Sequence, residues 1–196
     1  MELAAAVRRR RMVRDYRRDP VDPGAVERIL DAGRRGPSAG WTQAVSFVVV
    51  ADPAVRDGVA KLCGEEAYVA RGVQPWLSPA PIHVVLCVRE ADYRRRYGEQ
   101  DKVGSRGPDG WQVPFWWVDA GAALLLLCLA AVDEGLGAGF LDVADPAALR
   151  ALLGIPADVS VVGLVTLGYA AERATTGSAA TRARRPLDEV VHRERW

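Results

Sequence analysis

The chain has 196 residues, 49% of them hydrophobic, and its 26 basic and 25 acidic side chains leave a formal net charge of +1. That length fits one domain able to bury about 70% of its unfolded surface. The apolar content argues against disorder, and the near-neutral balance argues against a general nucleic-acid binder.

Only Lys61 and Lys102 are lysines, so almost all positive charge is arginine, the side chain suited to bidentate phosphate contacts. Codon bias in a GC-rich genome accounts for much of that skew, and only the arginine clusters carry a functional reading. Cys63, Cys87 and Cys128 are scattered and odd in number, and His83 and His192 are the only histidines. Neither a disulfide framework nor a zinc site is expected, and the cysteines read as core filler. Arginines begin at Arg8, which leaves no room for a signal-peptide apolar region, and the apolar run 120–132 is short for a membrane span. The expectation is a soluble cytoplasmic protein.

A first helix is predicted over residues 2–12, its last turn rich in arginine. Asp22-Pro23 opens a second as N-cap and first-turn proline, with Val26, Ile29, Leu30 and Gly33 inward and Gly36 placed to end it. Residues 45–51 read as a buried strand, Asp52-Pro53 starts another helix, and 82–88 is a second buried strand. Residues 89–113 are polar and Gly-rich and read as a surface excursion. A helix apolar almost all round covers 119–134, and the glycines of 135–139 form its cap and a tight turn before a short strand at 140–141. Asp145-Pro146 repeats the cap for a helix ending at Gly154. Residues 159–169 form a long strand, and a polar tail follows over 172–196. Helices mixed with four strands, without βαβ alternation, favour a single α+β layered domain.

The sequence Arg-Arg-Gly-Pro-Ser-Ala-Gly-Trp-Thr-Gln at 34–43 is a small-residue loop whose backbone N–H groups can close on a planar or anionic ligand. Arginines at 10, 11 and 14, and at 182, 184 and 185, frame it from both ends of the chain. Glycines 135–139 lie in the order helix, glycines, strand, the wrong order for a dinucleotide fingerprint. Ser38 lacks a Gly-x-Ser-x-Gly elbow, and no paired carboxylates or metal set stand out, so hydrolysis is unsupported. Trp41, Trp76, Trp111, Trp116 and Trp117 fall near loops or element ends. Each reads first as packing, but together they could form a flat pocket for an aromatic substrate.

These segments resemble the FMN-dependent nitroreductase family. Arg10-Arg-Met-Val-Arg-Asp-Tyr16 is similar to its Arg-Arg-Ser-x-Arg-x-Phe opening. Gly36-Pro-Ser-Ala-Gly40 with Gln43 resembles its Pro-Ser-x-x-Asn-x-Gln loop, and 119–137 its long dimer helix. Residues 162–169 with Glu172 resemble its last strand, and Arg182-Ala-Arg-Arg-Pro-Leu187 its terminal basic motif. The resemblance implies a central mixed, mainly antiparallel sheet flanked by helices, in an intertwined homodimer whose arm 172–196 wraps the partner.

It also implies FMN as cofactor and NADH or NADPH as donor, with small aromatic or quinone-like acceptors and neither nucleic acid nor membrane as partner. Arg10, Arg11, Met12 and Arg14 would hold phosphate and ribityl groups, and Arg182 and Arg184 would close on the phosphate. Pro37, Ser38, Ala39, Gly40 and Gln43 would meet the isoalloxazine ring, from the other subunit. Backbone near Asp142 and Val143 would face flavin N5, and Trp41, Trp111 and Trp116 would line the substrate pocket. No side chain is assigned a catalytic role, since the flavin carries the hydride chemistry. Met12 and Trp41 stand where the family has Ser and Asn. The second replacement resembles the flavin-cleaving branch of the family, and an azoline-dehydrogenase type or a non-catalytic flavin-binding protein are further alternatives.

Overall fold

The computed structural model describes residues 1–171 and 182–196. Among the described residues seven helices, α1 (Leu3–Arg9), α2 (Pro23–Gly33), α3 (Pro53–Leu62), α4 (Glu65–Val69), α5 (Glu90–Tyr97), α6 (Phe115–Asp133) and α7 (Pro146–Leu153), surround four strands, β1 (Val45–Val50), β2 (Ile82–Val88), β3 (Gly137–Leu141) and β4 (Ser160–Gly168). The sheet order is β1-β2-β4-β3.

Each Asp-Pro pair does what its chemistry suggests. Asp22, Asp52 and Asp145 accept the N–H groups of Gly24, Val55 and Ala148 at 3.1, 3.0 and 2.9 Å, each with a proline in the first turn. All seven residues of β2 are buried because both faces of the sheet are covered. Val85 and Cys87 pack with Val59, Leu77 and Leu149 on the α3–α7 side. Val84 packs with Ile29 and Leu127 on the α2–α6 side.

Several boundaries differ from the sequence expectations. α1 stops at Arg9, because Arg11–Arg14 leave the helix to lie beside β3 through an isolated parallel bridge, Met12 to Ala138. α2 ends at Gly33, not Gly36. Gly33 lies so close to α6 that a Cβ there would meet Leu127 Cδ2 at 2.6 Å. α6 begins at Phe115, four residues before Asp119, and β3 begins at Gly137, so the supposed turn glycines are largely strand. Residues 89–113 contain α5 and two short 3₁₀ turns, so they are not an irregular excursion. Among the described residues all strand pairings are antiparallel, and the expected parallel component is limited to the Met12 bridge. α6, with mean hydropathy 2.0, is long and apolar enough to cross a membrane by length and composition. Here it is the central helix, packed on α1, α2 and the sheet.

Candidate functional site

The arginine segment is fixed by β3. Val13 N–H donates to the Ala138 carbonyl at 2.9 Å. Small residues make that approach possible: a Cβ on Gly137 would meet Val13 Cγ2 at 2.6 Å, and one on Gly139 the Val13 carbonyl oxygen at 2.5 Å. The buried Tyr16 hydroxyl donates to the same carbonyl at 3.0 Å and shares a 2.8 Å hydrogen bond with Thr166 Oγ1. Burial raises its phenol pKa well above the ordinary value. Arg14 lies 5.5 Å over the Trp76 ring. Trp76 is fixed in turn, since the buried Glu65 carboxylate accepts the N–H groups of Trp76 and Leu77 at 2.8 and 2.6 Å. Arg10, Arg11 and Arg14 form no ion pair with any described residue, whereas Arg28, Arg35, Arg94 and Arg96 all do. A cleft of about 340 Å³ opens beside Arg11, Val13, Leu136 and Gly137.

The small-residue loop is built differently. Its turn places Gly40, Trp41 and Gln43 at φ 64°, 58° and 54°, a region costly for side-chain-bearing residues. Besides the backbone bonds from Trp41 and Thr42 N–H to the Ser38 and Ala39 carbonyls, four hydrogen bonds that involve side chains hold it there. Gln43 N–H donates to Ser38 Oγ at 2.7 Å and Thr42 Oγ1 to the Ala39 carbonyl at 2.6 Å. Ala39 N–H donates to Asp119 Oδ2 at 2.8 Å, and Arg96 Nε to the Gly40 carbonyl at 2.7 Å. Pro37, Ser38, Trp41 and Gln43 line a cleft of about 200 Å³ against Asp119 and Ala123 of α6. The Trp41 side chain points outward and is 70% exposed.

The remaining expected residues are scattered. Asp142 follows the end of β3, and its Oδ1 accepts the Val143 N–H at 2.8 Å. Arg182 and Arg184 are exposed and form no ion pair with a described residue, while Arg185 pairs with Glu189 at 3.2 Å. Glu172 lies outside the described residues. Trp116 is buried and Trp111 half-buried, in an aromatic cluster with Tyr93, Tyr97 and Phe115. Neither lines the cleft under the loop.

Sheet order separates the two principal groups. The loop feeds β1, one edge strand, and the arginine segment lies beyond β3, the other. Three strand spacings, about 14 Å in all, lie between those edges.

Sequence reasoning missed Asp119, Tyr93 and Arg96. Asp119 is the only charged residue between Trp111 and Val132, an anomaly visible in the sequence, where it reads only as a helix start.

A sequence profile of the nitroreductase family matches residues 7–169. A Thermus thermophilus protein named NADH dehydrogenase is 29% identical, with 97% of this chain and 95% of that protein covered. A 5,6-dimethylbenzimidazole synthase of Rhodospirillum rubrum is also 29% identical, over 83% of this chain and 79% of the synthase. Among solved structures, NADPH:FMN oxidoreductase from Vibrio harveyi, complexed with NAD+, superimposes with a TM-score of 0.74. It is 24% identical, with 99% of this chain and 77% of that one covered. The match to the family, together with relatives of the NADH dehydrogenase type, marks the chain as a flavin-dependent oxidoreductase. The chain belongs to the nitroreductase family.

Proposed function

We propose that two copies of this chain hold FMN at each of two shared sites and reduce an electron-poor acceptor, nitroaromatic or quinone-like, with NADH or NADPH as donor. The observation that supports this best is the Arg10–Arg14 segment. Its guanidinium groups have no acidic partner among the described residues and stand on a backbone locked to β3. That donor set fits a phosphomonoester, which arginine grips through paired charged hydrogen bonds. Arg182 and Arg184 complete the phosphate grip.

The separation of loop and arginine segment across the sheet favours a site completed by a second subunit, with loop 37–43 reaching the flavin bound by its neighbour. An apolar stripe on α6, with Val118 and Leu125 about half exposed, supplies a face for that pairing. Leu187, Val190 and Trp196 in the C-terminal arm are exposed in the single chain and suit wrapping a partner. When bound, FMN supplies the hydride chemistry by accepting from the nicotinamide and returning to the acceptor that takes its place.

The chain's own work is binding, orientation and exclusion of water. Pro37–Gly40 would pack against a bound ring, the backbone at Asp142 and Val143 would face its reactive edge, and Trp41 would offer an exposed ring to the incoming molecule. Trp111 and Trp116 act from behind, as the aromatic wall on which the loop and α5 rest. The cytoplasm, where both nicotinamides are found, is the proposed location. Stopped-flow mixing of the yellow protein with each nicotinamide tests the cycle. Bleaching by one or both is expected, and bleaching by neither rejects it.

A second reading has two observations behind it. Trp41 replaces the family's Asn, and the Rhodospirillum rubrum relative makes 5,6-dimethylbenzimidazole, as its name states. Chromatography of reduced FMN incubated aerobically with the protein separates the readings. Appearance of dimethylbenzimidazole supports the synthase, and intact flavin supports the reductase.

A further inference from the structure

Asp119 is only 4% exposed in the middle of an apolar stretch, and its two carboxylate oxygens have different fates. Oδ2 is fully committed, accepting the Ala39 N–H at 2.8 Å and the Tyr93 hydroxyl at 2.7 Å. Oδ1 has no hydrogen-bond partner among the described residues, nor is it sealed from solvent as His83 Nδ1 is. The residue lines the cleft beneath loop 37–43, beside Pro37, Ser38, Trp41 and Gln43. Arg34, the one cation on that rim, is already paired with Asp31. A carboxylate oxygen that opens onto a narrow cleft is an acceptor left free for a donor that enters it. None of the chain's described groups occupies it.

The cleft, about 200 Å³, is smaller than a whole-ligand pocket of roughly 300–1,000 Å³. It admits the edge of a planar molecule. An oxidised isoalloxazine ring carries a single N–H donor, the imide of its pyrimidine ring, and its other edge heteroatoms are acceptors that a carboxylate repels. We propose that Asp119 Oδ1 accepts a hydrogen bond from the imide N–H of the flavin held against loop 37–43. It thereby fixes which ring edge enters the cleft and supplies the acceptor lost where Trp41 replaces Asn. This rests on the FMN reading above. Asp119 then acts twice: one oxygen positions the loop through Ala39, and the other reads the ring that the loop covers.

The test compares binding of FMN with binding of FMN methylated at the imide nitrogen. The purified protein, stripped of flavin, is titrated with each while flavin fluorescence is followed. Wild type is expected to prefer FMN by about tenfold or more, the usual reach of a hydrogen bond to a charged group. Asp119→Asn keeps the volume and the loop contacts but turns its amide donor toward the cleft, so the preference disappears. Tyr93→Phe removes a partner of Oδ2 alone and retains it.

Equal binding of the two flavins by wild type overturns the proposal. So does a preference that survives in Asp119→Asn, since it then reflects the bulk of the methyl group. Failure of both flavins to bind rejects the FMN reading itself, whereas binding without discrimination rejects only the role of Asp119.

Discussion

Gly139 and Val13 meet backbone to backbone: a Cβ at 139 would stand 2.5 Å from the Val13 carbonyl oxygen and 2.7 Å from Thr166 Oγ1. The strand leading to Asp142 and the segment bearing Arg10–Arg14 are therefore one unit. Gly139→Ala must push them apart, at a cost of about 1–3 kcal/mol for overpacking a well-filled site. Thermal unfolding is expected to shift down by several degrees. Flavin affinity, measured on the folded fraction, is expected to fall as the arginines lose their register.

Replacing Arg10, Arg11 and Arg14 by Gln should act the other way round. The three side chains have no acidic partner to lose among the described residues, and only Arg14 gives up a contact, its stacking over Trp76, so the melting temperature should move little. Each charged hydrogen bond lost to a phosphate is worth about 1.5–3 kcal/mol. FMN affinity should therefore drop at least tenfold per substitution, and the salt dependence of binding should flatten. Riboflavin, which lacks the phosphate, should bind wild type and variants alike. Titration of both flavins at two salt concentrations checks this.

How much of this was legible in the sequence depends on what holds each element. The three Asp-Pro caps and the strands β1, β2 and β4 announce themselves through local chemistry, but the apolar run of β1 misleads about burial: it is an edge strand, buried only at Val50 and not throughout as expected. α5 does not, because Tyr93 is its only buried residue and its surface is held by ion pairs such as Glu90–Arg94 and Asp92–Arg95. Gly137 and Gly139 resemble turn residues until Val13 is seen lying on them. Their reason for being glycine is a partner more than a hundred residues away in the chain. The arginine segment and the Pro-Ser loop were visible as motifs. The carboxylate beneath that loop was not, since its meaning lies in Ala39 and Tyr93, contacts that only the tertiary fold creates.

His83 gives the fold a pH limit. Its side chain is fully buried in β2, with Nε2 2.9 Å from the Leu77 carbonyl oxygen, and burial lowers its pKa from 6.5 to about 4. In the unfolded chain the imidazole takes its proton near 6.5, so below that pH the unfolded state binds more protons than the native one. Stability is thus full above about 6.5 and falls as the pH drops toward 4, by roughly 3 kcal/mol in all. Urea midpoints measured between pH 7 and 4 should show this loss. His83→Gln, which cannot titrate, should lower stability at pH 7 and remove much of the slope across that interval.

Leu125 tests the pairing of two chains. It stands 51% exposed on the outer face of α6, one turn from Gly121 and two from Val118, and the apolar residues Leu3 and Val7 of α1 are exposed too. A glutamate there leaves the single chain's packing intact but places an unpaired charge in any interface built on the stripe. Sedimentation of Leu125→Glu should give a 21.2 kDa species where wild type gives twice that mass, with an unchanged circular dichroism spectrum. Flavin should be lost together with the dimer, because the arginine segment and loop 37–43 stand at opposite edges of one sheet and only a second subunit brings another copy of the loop to the arginines. A folded monomer that retained full FMN affinity would show that a single chain builds the whole site.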